Sequence, residues 1–128
     1  MDLAPHPEWP ITYDLAEMRA RVAGYALQRG MPLERVEALV LATNEAITNV
    51  LEHGGGKGAV ACRTDATGIT VEIVDYAGAL KPAHLNGRPT DWTTRGLGLW
   101  VIRQLCDETE VDNPHGNSRL RLHMRYDG

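Results

Sequence analysis

Residues 44–54 read NEAITNVLEHG, and the reading of this stretch decides the fold. It ends a helical pattern that opens at Pro32 and stops at Gly54, Gly55 and Gly56. Proline suits a first helical turn and glycine a helix end. Val36, Leu39, Val40, Thr43, Ile47, Val50 and Leu51 fall on one side when successive residues turn by about 100°. That stripe is expected to face a sheet. Glu45 and Asn49 lie roughly opposite, flanked by Ala38, Leu41, Ala42 and Ala46 rather than by the Lys and Glu of a solvated face. A helix that is apolar on one side and nearly charge-free on much of the other lines something on both. Glu45, Asn49 and His53 stand at i, i+4, i+8. They can place a carboxylate and an amide carbonyl on one wall, oxygens that a hard cation such as Mg²⁺ takes together with phosphates and water. A merely solvated helix face can carry the same residues.

Working outward, residues 1–12 are a proline-rich lead-in with a short strand expected near Trp9–Tyr13. Asp14 is a good N-cap, Glu17 forms a capping-box-like pair with it, and Gly30 stops the first helix. After the second helix, Gly58–Thr64 and Ile69–Asp75 alternate as a β-hairpin. Residues 76–96 contain Gly78, Pro82, Gly87 and Pro89 and few core candidates, so they are expected to be an irregular lid or binding loop. A third helix is expected over Leu97–Cys106. A last hairpin follows, Glu108–Asp112 and Ser118–Tyr126. In its second strand Leu120, Leu122 and Met124 alternate with Arg119, Arg121, His123 and Arg125, so one face is buried and the other wet. The sum is an α/β (α+β) two-layer sandwich, a mostly antiparallel mixed sheet of four or five strands covered by three helices, in a single domain over 1–128.

The chain has 128 residues and a net charge of -4, with 43% hydrophobic and 23% charged residues. Such a balance argues against direct nucleic-acid binding, which needs a basic patch. No apolar run approaches the roughly 18 residues of a membrane span. The N-terminus MDLAPHPEWP has neither the basic nor the apolar stretch of a signal peptide, so a cytoplasmic location is expected. Cys62 and Cys106 show no metal spacing and read as free buried thiols.

Two further constellations carry chemistry. Asp75 ends an apolar strand with Gly78 nearby. A carboxylate there can accept a hydrogen bond from an exocyclic amine and so select a purine, although a turn-forming Asp looks the same. Residues 94–100 read TRGLGLW, alternating glycines where the long loop enters a helix. Missing side chains let backbone N–H groups approach an anion at a helix start, and Arg95 adds charge; a glycine-softened hinge is the other reading.

The order of these features resembles the GHKL (histidine kinase/HSP90-like) ATPase superfamily, and within it the anti-sigma-factor serine kinases of bacteria, with an actinobacterial flavour. The resemblance runs from Asp14 to Arg125, on NEAITNVLEHG (44–54) and RGLGLWVIRQLCD (95–107). It implies the Bergerat fold and ATP and Mg²⁺ as cofactors. It implies Asn49 as the Mg²⁺ ligand and Glu45 as the general base, with Asp75 on the adenine amine. His53, Gly78, Arg95, Gly96, Leu97, Gly98 and Leu99 would complete the ATP site, with Asn117 or Ser118 standing for a late threonine. The implied partners are a sigma factor and an anti-anti-sigma (STAS-type) protein whose serine is phosphorylated. Relatives often pair, which leaves a homodimer open, with Trp92 and Tyr76 as exposed aromatics. The chain departs from the family at D75-Y-A-G-A79, where Ala77 and Ala79 replace two glycines and Gly78 falls between them. A non-catalytic binding module with a weak nucleotide site is therefore the alternative. A two-component histidine kinase is a poor reading, because these residues leave no room for a helical dimerisation segment bearing a phosphoacceptor His.

Overall fold

The computed structural model describes residues 6–86 and 94–127, with the side chains of 86 and 94–97 outside that description. The chain forms β1 (Glu8–Pro10), α1 (Leu15–Gln28), α2 (Leu33–His53), β2 (Gly58–Thr64), β3 (Gly68–Asp75), α3 (Pro82–Asn86), α4 (Thr94–Leu105), β4 (Glu108–Asp112) and β5 (Ser118–Arg125). The sheet order is β1-β2-β3-β5-β4. Every neighbouring pair is antiparallel, so the mixed sheet expected from the sequence is corrected to an antiparallel one among the described strands. The reason is topological. The helical connection returns the chain so that β4 runs the same way as β3, but β5 folds back between them and separates the two.

Local chemistry explains the element ends. The Glu17 N–H donates to Asp14 Oδ1 at 3.0 Å and caps α1. The reciprocal half of the capping box is absent, because the Glu17 carboxylate pairs with Arg21 and the Asp14 N–H goes to Thr12 Oγ1 at 3.2 Å. Gly30 takes φ +82°, which closes the helix in the left-handed region that glycine occupies without strain. Pro32 stands one place before α2, and its carbonyl accepts from the Val36 N–H at 3.0 Å.

The alternation in the strands buries Val60, Cys62, Ile69, Val71, Ile73, Leu120, Leu122 and Met124 against the helices. From α2 the core takes Val36, Leu39, Ile47 and Val50, the stripe expected to face the sheet. The opposite sheet face is charged. Its centre is Glu72, only 5% exposed, which accepts from Arg121 Nε at 2.8 Å and meets Arg63 at 3.1 Å. A buried carboxylate is tolerable there because guanidinium groups satisfy it.

The segment expected to be irregular departs from the sequence reading in two ways. Pro82–Asn86 is a short helix, and α4 begins at Thr94, three residues before the expected start. The sheet is thus covered by four helices rather than three among the described residues. Propensity misses α3 because its stability comes from outside itself. Leu85 is buried in the core, and Arg103 Nη1 donates to the Leu85 carbonyl at 2.5 Å.

Candidate functional site

The second side of α2 meets the adjoining ends of β3 and β5. Asp75 and Ser118 are register partners, which brings the end of one strand beside the start of the other. Between them and α2 lies a small cavity lined by Ala46, Asn49 and Val50, by Ile73 and Asp75, and by Leu80, Ser118 and Leu120. Of the charge-free flank of α2, Ala46 lines this wall, whereas Ala42 belongs to the core and Leu41 is exposed.

Asp75 is 4% exposed and held by main-chain groups. Its Oδ1 accepts from the Gly55 N–H at 3.2 Å and the Ala77 N–H at 3.0 Å. Its Oδ2 lies 2.3 Å from where a Cβ on Gly54 would sit. Glycine is therefore required at 54 for the carboxylate to stand there. The Gly54-Gly55 pair, read from sequence only as a helix stop, is thus part of the site. The run of three glycines was the available signal.

Asn49 Oδ1 is buried and has no hydrogen-bond partner among the described residues. A buried carbonyl left unpaired costs on the order of 1–3 kcal/mol, so it calls for a ligand. An amide oxygen is a hard donor of the kind Mg²⁺ accepts, and the residue fits such an ion. Glu45, one turn earlier, is partly buried and reaches across to α4, where its Oε2 would lie 3.2 Å from a Cβ on Gly98.

The other sequence-derived residues divide. Because α4 starts at Thr94, Gly98 lies beyond the first turn, whose N–H groups are the ones a helix leaves unpaired. It is not at the helix start, as expected, and its small size instead admits Glu45. Leu99 is a core residue, 4% exposed. Arg95, Gly96 and Leu97 belong to the first turn of α4, and their side chains lie outside the described residues, as does Trp92. His53 is exposed beside Glu52 and does not line the cavity. Gly78, not a flanking alanine, holds the positive φ of the D75-Y-A-G-A79 turn, at +68°. Ala77 contributes its N–H, which alanine supplies as well as glycine does. Ser118 lines the cavity, but its hydroxyl is engaged by the main chain of Leu80. Tyr76 is exposed, as expected.

A larger concavity of 300 Å³ lies on the charged sheet face, beside Arg121 and His123. Arg121 pairs there with Glu72 and Glu110, and His123 with Thr67 and Thr70. These groups satisfy one another, whereas among the described residues the unpaired buried side-chain oxygen is at Asn49. Among the described residues no helix is long and apolar enough to cross a membrane.

Comparison with known proteins agrees with this geometry. The histidine kinase-like ATPase domain family matches residues 11–125. The anti-sigma F factor of Thermoanaerobacter pseudethanolicus is 28% identical over 120 residues, covering 86% of this chain and 83% of that protein. That of Clostridium acetobutylicum is 27% identical over 109 residues, covering 77% and 75%. The solved RsbU and RsbW domains of a Mycobacterium tuberculosis protein superpose with a TM-score of 0.67 at 20% identity, over 95% of this chain and 33% of that one. This chain therefore spans about a third of that solved chain. The SiaB–SiaC complex of Pseudomonas aeruginosa gives a TM-score of 0.60 at 14% identity, over 94% and 89%. These two structures share the fold. With nearly its whole length matched, the chain belongs to the histidine kinase-like ATPase domain family.

Proposed function

We propose that this chain is an anti-sigma regulatory factor that binds Mg·ATP at the Asn49–Asp75 site, phosphorylates a serine of an anti-anti-sigma protein and sequesters a sigma factor. The observation that carries the proposal is the buried, unpartnered Asn49 Oδ1, one helical turn from Glu45 and in the same cavity wall as Asp75. Membership of an ATPase-domain family supports the nucleotide, and the anti-sigma F factors among its relatives support the partners.

Each residue has a chemical task in this reading. Asp75 Oδ1 is occupied by two backbone N–H groups, so Oδ2 is the atom left to accept an adenine amine. Asn49 Oδ1 would hold Mg²⁺, which neutralises charge on the phosphates when bound. Arg95 and the first-turn N–H groups of α4 would face the phosphates. Glu45 would take the proton of the acceptor serine as its oxygen bonds to the γ-phosphorus and the bond to ADP breaks. Positioning and charge stabilisation dominate such transfers. Assembly as a homodimer and a cytoplasmic location belong to the same proposal.

The narrowness of the cavity favours a second reading, a protein-binding regulator without catalysis. Calorimetric titration of ATP with and without Mg²⁺ on the purified chain and on Asn49→Ala decides on nucleotide binding. Radiolabelled transfer to an anti-anti-sigma protein, with Glu45→Ala alongside, decides on catalysis. Binding that depends on Mg²⁺ in the parent only, with transfer lost in Glu45→Ala, is expected. Micromolar binding without transfer leaves the second reading, and no binding at all removes the ATP proposal.

A further inference from the structure

What the cavity can read of a base depends on which of its hydrogen-bonding atoms are still free. The Asp75 carboxylate has one such atom. Its Oδ1 takes the N–H groups of Gly55 and Ala77 at 3.2 and 3.0 Å, and among the described residues no group donates to Oδ2. A carboxylate with both oxygens free can take two adjacent N–H groups, as guanine presents them. One with a single free oxygen suits a single exocyclic amine.

Ser118, the register partner of Asp75, is the other polar group at this end of the cavity. It is 2% exposed. A hydroxyl has one hydrogen and two lone pairs. The hydrogen goes to the Leu80 carbonyl at 2.7 Å, and one lone pair takes the Leu80 N–H at 2.9 Å. Asn113 Nδ2 approaches the oxygen as well, at 3.4 Å. The hydroxyl therefore has no hydrogen left for a ligand. Ala46, Val50, Ile73, Leu80 and Leu120 make the rest of the lining apolar, apart from Asn49, whose amide holds the metal in the ATP-site reading. Nor does a water take over from Ser118. The cavity has a volume of about 10 Å³, room for about one water, and a buried water needs two to four polar partners where only Asp75 Oδ2 is free.

We propose that this site reads a purine at one point: Asp75 Oδ2 accepts a hydrogen of the 6-amino group, and the neighbouring ring nitrogen N1 is left unread because Ser118 is spent on Leu80. This deepens the ATP-site reading and rests on it. Gly55 and Ala77 then share in base selectivity, because their N–H groups reduce the carboxylate to a single acceptor. Ser118 is a positioning residue for Leu80 and not a contact to the base.

The test is calorimetric titration of the full chain, with Mg²⁺, by ATP and two analogues. One is 1-deaza-ATP, in which a C–H replaces N1. The other is purine riboside triphosphate, in which hydrogen replaces the 6-amino group. The first is expected to bind within about threefold of ATP and the second at least about tenfold more weakly, the loss of a hydrogen bond to a charged group. The same titrations on Ser118→Ala supply a readout that a structural role does not move. The variant is expected to be less stable in denaturant and to keep the parent's ratio of ATP to 1-deaza-ATP affinity. If that variant folds poorly, the parent titrations decide alone. A loss of more than about threefold on removing N1, in a parent that binds ATP, overturns the single-point reading and leaves the ATP site standing. A changed ratio in Ser118→Ala does the same. Equal affinity for all three nucleotides overturns the contact to Asp75. Absence of ATP binding by the parent overturns the ATP-site reading and this inference together.

Discussion

The Glu45 carboxylate stands against the main chain of Gly98, with Oε2 3.2 Å from where a Cβ at that position would be. This close approach lies between α2 and α4, where the proposed base meets the proposed phosphate site. Gly98→Ala is expected to displace the carboxylate by a few tenths of an ångström. Phosphoryl transfer should then fall by roughly tenfold, with ATP affinity little changed. Steady-state kinetics read beside calorimetric binding check this. An equal loss in binding and turnover would show that Gly98 serves the nucleotide rather than Glu45.

Gly54→Ala acts on the other wall. Its Cβ would fall 2.3 Å from Asp75 Oδ2 and 2.9 Å from the Val50 carbonyl. The carboxylate must swing out or the end of α2 must shift. ATP affinity is expected to fall by at least tenfold, and stability by on the order of 2 kcal/mol. Calorimetry and denaturant unfolding measure the two losses, and wild-type affinity in this variant contradicts the assignment of Asp75 to the base.

Asn49→Ala separates ligand binding from stability. The amide oxygen is buried without a partner among the described residues, so its removal takes away an unpaired polar group. The nucleotide-free variant should be as stable as the parent or more stable by about 1 kcal/mol, while the Mg²⁺ dependence of ATP binding disappears. A marked loss of thermal stability without nucleotide would point to a structural role for Asn49.

Acid sensitivity follows from Asp107, which joins α2 to β5. It accepts from the Arg125 N–H at 2.8 Å and from Arg35. Burial pushes its carboxyl up, but the bonds from Arg125 and Arg35 and the charges of both outweigh that and hold it below the usual range. The Thr67 hydroxyl lowers Asp65 and the Arg119 guanidinium lowers Asp112 in the same direction. As pH falls, the unfolded chain is protonated first. The stabilisation is complete above the ordinary carboxylate value of about 4 and is lost as pH drops through the lower folded values. Thermal unfolding midpoints should therefore decline below about pH 4. Asp107→Asn should flatten that decline and reduce neutral-pH stability by about 2 kcal/mol.

Both thiols should be inert in the folded protein. Burial pushes Cys62 and Cys106 up to about 12, so neither carries appreciable thiolate near neutrality. Labelling with a disulfide reagent at pH 8 is expected to be slow in buffer and fast in denaturant. Rapid labelling of either native thiol would show that its segment opens readily.

The sequence by itself determined much of this protein. The stripe from Val36 to Val50 and the alternation in β3 and β5 were enough for a two-layer fold, because periodicity reports directly which side of an element is buried, and the order of the motifs pointed, by resemblance, to an ATPase-type family. Glu45, Asn49 and Asp75 stood out as candidates only through the order of the motifs and the family it resembles, because singly a solvated helix face or a turn-forming Asp reads the same way. Tertiary structure alone decided what depends on neighbours distant in the chain. It placed β5 between β3 and β4, made Gly54 and Gly55 the seat of Asp75, and turned Gly98 into room for Glu45. It left His53 outside the cavity and bound the Ser118 hydroxyl to Leu80. No local pattern encodes these outcomes, because each is set by excluded volume or by a hydrogen bond between segments that only the assembled fold brings together.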